Sequence, residues 1–255
     1  MQLNLVQETR KAVSGPVPVQ EFIDSFLPTG SIATVKPKSL KAPFSKVAKQ
    51  AMNLEKKMYG PIETALGPFL PGFKVKKTAD QVNPKWFVHG HNVKPDLAVF
   101  NETGLKTGLE DMELYIEVKR DKNEDPFKDR CKSASGFVRD VDIGRKTLGQ
   151  LISYAIPHLG AQFRCFGYSM LIAGTYARLI RWDRAGAVVS ARFDYTKDHK
   201  LLTEFCWRFA HASKEDRGID TSVRKTEISE FEQDKIREFL GMADGEDLYE
   251  YDVVD

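Results

Sequence analysis

The sequence predicts an α/β layered domain built on a mixed sheet, and three observations carry that prediction. Short runs dense in β-formers, KPDLAVF over residues 94–100, ELYIEVK over 113–119 and YSMLIA over 168–173, have strand length and strand composition. Apolar residues at helical spacing lie around them, at Val47, Ala48, Ala51, Met58 and Tyr59, and again at Leu148, Leu151, Ile152, Ala155 and Ile156. The order is helix, three strands, helix, strand, then a hairpin and further helices. That order belongs to helices layered on a sheet. No internal repeat is present.

The elements follow in order. Residues 1–43 contain Pro16, Pro18, Pro28, Pro37 and Pro43, which remove amide donors and fix φ, so this stretch reads as a proline-rich arm without a long helix. Its patch Phe22, Ile23, Phe26 and Leu27 can dock as one or two helical turns. Ser45 is a good N-cap, and Gly60-Pro61 is expected to end the helix that follows. Phe73–Thr78 alternates apolar and basic residues as a strand does. The next two strands join through a Gly-containing, hairpin-like connection. Residues 120–143 are charged, contain Pro126 and read as a loop. A helix starts near Asp142, and Pro157 is expected to bend or end it. Tyr176–Trp182 and Val188–Phe193 flank Asp183-Arg184-Ala185-Gly186, a turn between antiparallel strands. Leu201–His211 and Ile228–Met242 read as helices, and DGEDLYEYDVVD ends the chain.

Composition limits the possible functions. The 255 residues are 42% hydrophobic and 29% charged, with 18 Gly and 12 Pro, which excludes collagen-like, mucin-like and wholly disordered chains. No apolar run nears the roughly 20 residues that span a bilayer, and MQLNLVQETRK lacks a signal-peptide core. Cys131, Cys165 and Cys206 form no disulfide framework and no CxxC pair. The expectation is an intracellular protein, of cytoplasm or nucleus, with no membrane partner. The net charge of +2 hides an asymmetry. Residues 1–100 carry 14 Lys/Arg against 7 Asp/Glu, residues 101–224 carry 21 against 18, and residues 225–255 carry 3 against 11. A basic body suits a polyanion, while an acidic end can compete for that surface or stay solvated. Lys36, Lys38, Lys41, Lys46 and Lys49 read as a solvated face, with phosphate contact the alternative.

One set of residues can carry chemistry. Asp96 begins one strand, Glu117 and Lys119 share a face of the next, and Gln150 and Tyr154 share a face of the following helix. If the strands pair, Asp96 lies beside Glu117. Neighbouring carboxylates repel unless a cation sits between them, and hard oxygens suit Mg²⁺ or Mn²⁺. A cross-strand ion pair is the simpler account of the Glu-x-Lys triplet. Glu55 falls on the apolar stripe of the first helix, where a carboxylate is either at an edge with its head in solvent, paired, or bound to a cation. His89 and His91 read as a solvent-exposed loop pair. Arg178 and Arg181 either meet phosphate or pair with Asp183 and Asp194. Trp182, Trp207, Phe205 and Phe209 read as core, and Cys165 and Cys206 as inert buried thiols.

Asp96, Glu117-x-Lys119 and Gln150-x-x-x-Tyr154 together resemble the PD-(D/E)XK nuclease superfamily, in its RecB-type members. The resemblance implies a restriction-endonuclease-like core flanked by helices, over residues 44–212. It implies a metal held by Asp96, Glu117 and the Val118 carbonyl, with Glu55, or secondarily Glu63, completing the acidic set. Lys119 would be the catalytic lysine and Gln150 and Tyr154 the positioning pair. The activity implied is Mg²⁺- or Mn²⁺-dependent phosphodiester hydrolysis, with nucleic acid, specifically DNA, as partner. A second resemblance spans roughly residues 90–225 and is densest at Phe163-Arg164, Ala177–Asp183 and Phe193-Asp194-Tyr195. These stretches are similar to the N-terminal region of fungal-type protein kinases, in which a kinase domain follows such a region. No glycine-rich phosphate loop, V-A-I-K, H-R-D or D-F-G occurs in the 255 residues, so kinase chemistry is not expected of them. The rival expectation is a non-catalytic module that binds nucleic acid, a protein or the kinase domain of a longer chain. Residues 213–226 then read as a linker and 227–255 as a helix with an acidic tail.

Overall fold

The computed structural model describes residues 9–29, 43–51, 53–79, 87–88, 91–103, 108–129 and 136–251. They divide into two compact units, Met1–Ile219 and Asp220–Asp255. His89, the side chain of His91, Lys36, Lys38, Lys41 and Cys131 lie outside the described residues.

The first unit opens with strand β1 (Val13–Val17) and helix α1 (Val19–Phe26). Helices α2 (Ser45–Ala51) and α3 (Lys56–Leu66) follow, then β2 (Phe73–Lys77), the short pair β3 (Phe87–Val88) and β4 (His91–Asn92), β5 (Leu97–Asn101) and β6 (Met112–Lys119). Helix α4 (Asp142–Ala161) leads to β7 (Phe166–Ala173), β8 (Tyr176–Asp183), β9 (Gly186–Ser190) and β10 (Phe193–Asp194), and α5 (His199–His211) comes last. An eight-stranded mixed sheet runs β1-β9-β8-β7-β6-β5-β2, with β10 paired to β8. The β1–β9 and β6–β7 pairs are parallel and the remaining neighbours antiparallel. Parallel β6 and β7 need a crossover, and α4 supplies it.

Alternation along the strands sorts the apolar residues into two layers. Leu114, Ile116 and Val118 of β6 pack with α1, α2, α3 and α5 through residues such as Phe22, Val47, Ile62 and Phe205. Tyr115 turns to the other face and packs with Leu148, Leu151, Ile152 and Tyr154 of α4. Glu117 and Lys119 therefore sit on the α4 face, two and four residues after Tyr115.

Several elements depart from the sequence reading. The run expected to be one helix from Ser45 to Gly60 is two, interrupted at Asn53-Leu54, and Pro61 lies inside α3. Pro157 likewise lies inside α4 without ending it. Each proline removes one amide donor. The buried stripes that continue past them, Ile62, Ala65 and Leu66 in α3 and His158 in α4, hold the helices together by tertiary packing. The N-terminal prolines are tolerated because Pro16 lies in an edge strand and Pro18 immediately precedes α1. As a result residues 13–27 are built into the unit, with Val19, Phe22, Ile23 and Leu27 buried. Cys165, expected to be buried, is exposed in the connector before β7, whereas Cys206 on α5 is buried, and burial pushes its thiol pKa up. Trp207 is half-buried, its ring 4.1 Å from His211.

In the second unit β11 (Val223–Lys225) pairs antiparallel with β12 (Tyr249–Tyr251), and α6 (Glu230–Leu240) lies between them. A reciprocal Ser229–Glu232 cap starts α6, and Gly241 at φ 66° ends it. No helix among the described residues is long and apolar enough to cross a membrane.

Candidate functional site

Strand register assembles the site. Leu97 of β5 is paired with Ile116 of β6, so Asp96, one residue earlier, faces Glu117, one residue later, on the same side of the sheet. Asp96 is 9% exposed, Glu117 1% and Lys119 8%. Lys119 Nζ donates to Glu117 Oε1 at 2.5 Å, and the Val118 N–H donates to Asp96 Oδ2 at 2.8 Å. The Tyr59 hydroxyl of α3 donates to Asp96 Oδ1 at 2.5 Å and lies 3.3 Å from Glu55 Oε1. Glu117 Oε2 is buried and meets no hydrogen-bond donor among the described residues.

Backbone geometry adds a further oxygen. Gly174, at φ 62° in the turn from β7 to β8, donates its N–H to the Lys119 carbonyl at 2.8 Å. Successive carbonyls of a strand point to opposite edges, so the Val118 carbonyl points toward the β5 side, where Asp96 sits. Glycine suits the turn because a left-handed residue is needed there.

Burial decides the electrostatics. Loss of water, and then the nearby Asp96 charge, push the Glu117 carboxyl up to about 8, against the opposing pull of Lys119. Asp96 is also raised, because burial outweighs the hydrogen bonds from Tyr59 and Val118 and the charge of Lys119. For Lys119, burial alone would lower the pKa, but the carboxylates of Glu117, Asp96 and Glu55 more than offset it, so the ammonium is retained. Tyr59 is pushed far up by burial and by Asp96, and stays a hydroxyl. The cluster holds its protons tightly, and a protonated Glu117 can donate to Asp96, which partly opposes the effect of burial on Asp96.

Helix α4 brings Tyr154 toward the two carboxyls and sets Gln150 beside the Tyr154 hydroxyl. Tyr154 is buried, its ring edge-on to Tyr115 at 5.8 Å. Its hydroxyl pKa is raised by burial and then by the charges of Glu117 and Asp96, which places it in their field. Gln150 is one turn earlier on the same face. Glu55 is half-buried at the start of α3 and reaches Asp96 through the Tyr59 hydroxyl, its charge also felt by Glu117 and Lys119; Glu63 lies two turns further along that helix.

Tyr59 was not read from the sequence as a site residue. It sits in an apolar stripe, and the available signal was its hydroxyl: a buried tyrosine usually needs a hydrogen-bond partner, and Glu55 stands one turn away. Arg178 does pair with carboxylates, but with Asp125 and Asp129 instead of Asp183 or Asp194. Arg181 pairs with Asp183 at 2.8 Å, and Asp194 accepts from Thr196. His158 is buried on α4 with Nε2 2.7 Å from the Met112 carbonyl; burial, then Arg164, lower its pKa to about 3, so it stays neutral.

No group of three or more His, Cys, Asp or Glu among the described residues forms a ready metal cage. The available donors are two carboxylates and a carbonyl, which fits Mg²⁺ or Mn²⁺, since Mg²⁺ keeps several waters and binds through one or two carboxylates. The open Glu117 Oε2 is the donor least satisfied by the protein.

A family model described as fungal protein kinase matches residues 139–239. The match runs from just before α4 into α6; it includes Gln150 and Tyr154 and excludes Asp96, Glu117 and Lys119. No curated protein and no solved structure matches the chain.

Proposed function

We propose that Asp96, Glu117 and Lys119 form a divalent-metal-dependent phosphodiester hydrolysis site, with DNA as the substrate that the PD-(D/E)XK resemblance implies. The observation that carries this reading is the pair of buried carboxyls, Glu117 facing Asp96, with Glu117 Oε2 meeting no donor among the described residues beyond a proton it can share with Asp96. Two carboxyls buried side by side are costly in a core that serves packing alone. Asp96, Glu117 and the Val118 carbonyl would hold Mg²⁺ or Mn²⁺. When bound, the ion supplies an acidified water and neutralises charge on the scissile phosphate.

The chain's own residues do the rest. Lys119, fixed at 2.5 Å by Glu117, presents a retained ammonium that orients the attacking oxygen and stabilises negative charge at phosphorus. Tyr154 and Gln150 have O–H and N–H donors on one helix face, suited to a phosphate oxygen. The test is plasmid nicking by the full chain with Mn²⁺ and Mg²⁺, comparing wild type with Lys119→Ala. Metal-dependent nicking that falls at least about a hundredfold in the variant is expected, the size of an electrostatic or acid–base contribution. Intact plasmid with wild type in both metals would refute the reading.

A second reading rests on a specific observation. Both Asp96 oxygens already accept hydrogen bonds, and Lys119 is already paired. That self-sufficiency suits a module that keeps the fold and binds nucleic acid, a protein or a kinase domain of a longer chain without catalysis. Retention of labelled DNA without nicking favours this second reading.

A further inference from the structure

The Tyr59 hydroxyl has one proton and two carboxylate oxygens within reach, Asp96 Oδ1 at 2.5 Å and Glu55 Oε1 at 3.3 Å. One O–H makes only one full-strength hydrogen bond at a time. The other oxygen of Asp96 is held by the Val118 N–H, whose direction is set by the strand. Oδ1 is therefore the oxygen of Asp96 whose partner can rotate away. Glu55 is half-buried at the start of α3, one turn before Tyr59, and meets the site through this hydroxyl.

We infer that Tyr59 is a positioning residue: its hydroxyl holds Asp96 Oδ1 in the metal-free protein and turns to Glu55 when a divalent cation takes that oxygen. The inference rests on the metal-binding reading above and reassigns Glu55 from ligand to acceptor. A cation at coordination distance from Oδ1 meets the positive end of an O–H aimed at the same atom, so entry requires the rotation. Glu55 supplies the place to rotate to. Without it, the hydroxyl would be left unpaired in a buried setting.

The test is Mn²⁺ binding by the full chain, with free Mn²⁺ counted by electron paramagnetic resonance. Wild type, Tyr59→Phe, Glu55→Ala, the double variant and Asp96→Asn are compared, each with thermal melts as a fold control. Tyr59→Phe should bind Mn²⁺ about tenfold more tightly, the scale of one charge-assisted hydrogen bond removed from competition. Glu55→Ala should weaken binding about threefold in the wild-type background and much less beside Tyr59→Phe. A Glu55 that ligates the ion would weaken binding equally in both backgrounds and overturn the reassignment. Equal or weaker binding by Tyr59→Phe overturns the role of Tyr59 while leaving the metal site in place. Absence of binding by wild type and Tyr59→Phe alike at millimolar Mn²⁺, or undiminished binding by Asp96→Asn, overturns the site and the inference with it. A second measurement follows the ring itself: in ¹³C-tyrosine-labelled wild type, the Cζ resonance that Tyr59→Phe removes should shift on Mg²⁺ addition, separately from any shift of Tyr154. No shift of that resonance at saturating Mg²⁺ overturns the rotation.

Discussion

Glu117 is the residue most at odds with its surroundings. Its carboxyl is pushed up to about 8 from an ordinary 4.5, so the folded chain binds that proton more tightly than the unfolded chain does. Stability from this source is fully present below the unfolded value and is lost as pH climbs through the folded one. Denaturant melts should therefore show stability falling by more than about 1.4 kcal/mol between roughly pH 5 and pH 8.5, because a shift of one unit is already worth that much. Glu117→Gln should flatten this slope, and an unchanged slope would show that another group titrates. Lys119 faces the opposite hazard. Lys119→Ala leaves a buried carboxylate without its cation, a change of about 3 kcal/mol if Glu117 stays ionised and less if it takes up a proton. The same melts at pH 6 and pH 9 separate the two cases, with the larger loss expected at pH 9.

At the scale of elements, Arg178 of β8 ties the irregular segment after β6 to the sheet. Its Nε lies 3.0 and 2.8 Å from the two Asp125 oxygens, its guanidinium 2.7 Å from Asp129, and its plane stacks near Phe127 and Phe137 at 5.5 and 5.9 Å. Arg178→Met keeps much of the volume and leaves buried Asp125 with only the Phe127 N–H and the more distant Arg192, 3.9 Å away, so a loss of about 3 kcal/mol is expected. Hydrogen exchange should then rise first in residues 121–129, and Asp125→Asn in the same chain should recover part of the loss. Helix α1 offers a simpler test. Phe22 is fully buried and stacks edge-on with Phe26 at 4.9 Å. Phe22→Ala should cost about 3–5 kcal/mol, as removal of a core aromatic does. A loss near zero would mean that residues 13–27 are not integral to the unit.

Across the whole molecule, charge follows the division into units. Residues 1–219 carry 34 Lys/Arg against 24 Asp/Glu, and residues 220–255 carry 4 against 12. If the chain binds nucleic acid, removing residues 220–255 should tighten binding and steepen its dependence on salt, because more phosphate contacts release more counterions. Filter binding at two salt concentrations reads both quantities. No change in either would make the acidic unit solvated surface only. The deletion should leave the melt of the first unit cooperative, since the large sheet and both apolar layers belong to it.

The sequence by itself determined the central strands β2, β5, β6, β7 and β8 and the helices α4, α5 and α6, because periods of 2 and 3.6 are written within a few neighbouring residues. Strand β1 and the short pairs β3–β4 and β11–β12 carry no such period. It also determined that Glu117 and Lys119 share a face and that Gln150 and Tyr154 share another. The tertiary structure decided everything that depends on distant partners. Asp96 meets Tyr59 across 37 positions and Arg178 meets Asp125 across 53. No local pattern selects Asp125 over Asp183 for Arg178, since several carboxylates are available and only the folded path of the segment after β6 brings one within reach. The same holds for Pro61 and Pro157. Their local preference is to break a helix, and they remain inside helices because the apolar faces around them are buried. Glu117 Oε2 belongs with these cases, since its lack of a donor among the described residues is visible only once sheet and helix have closed over it.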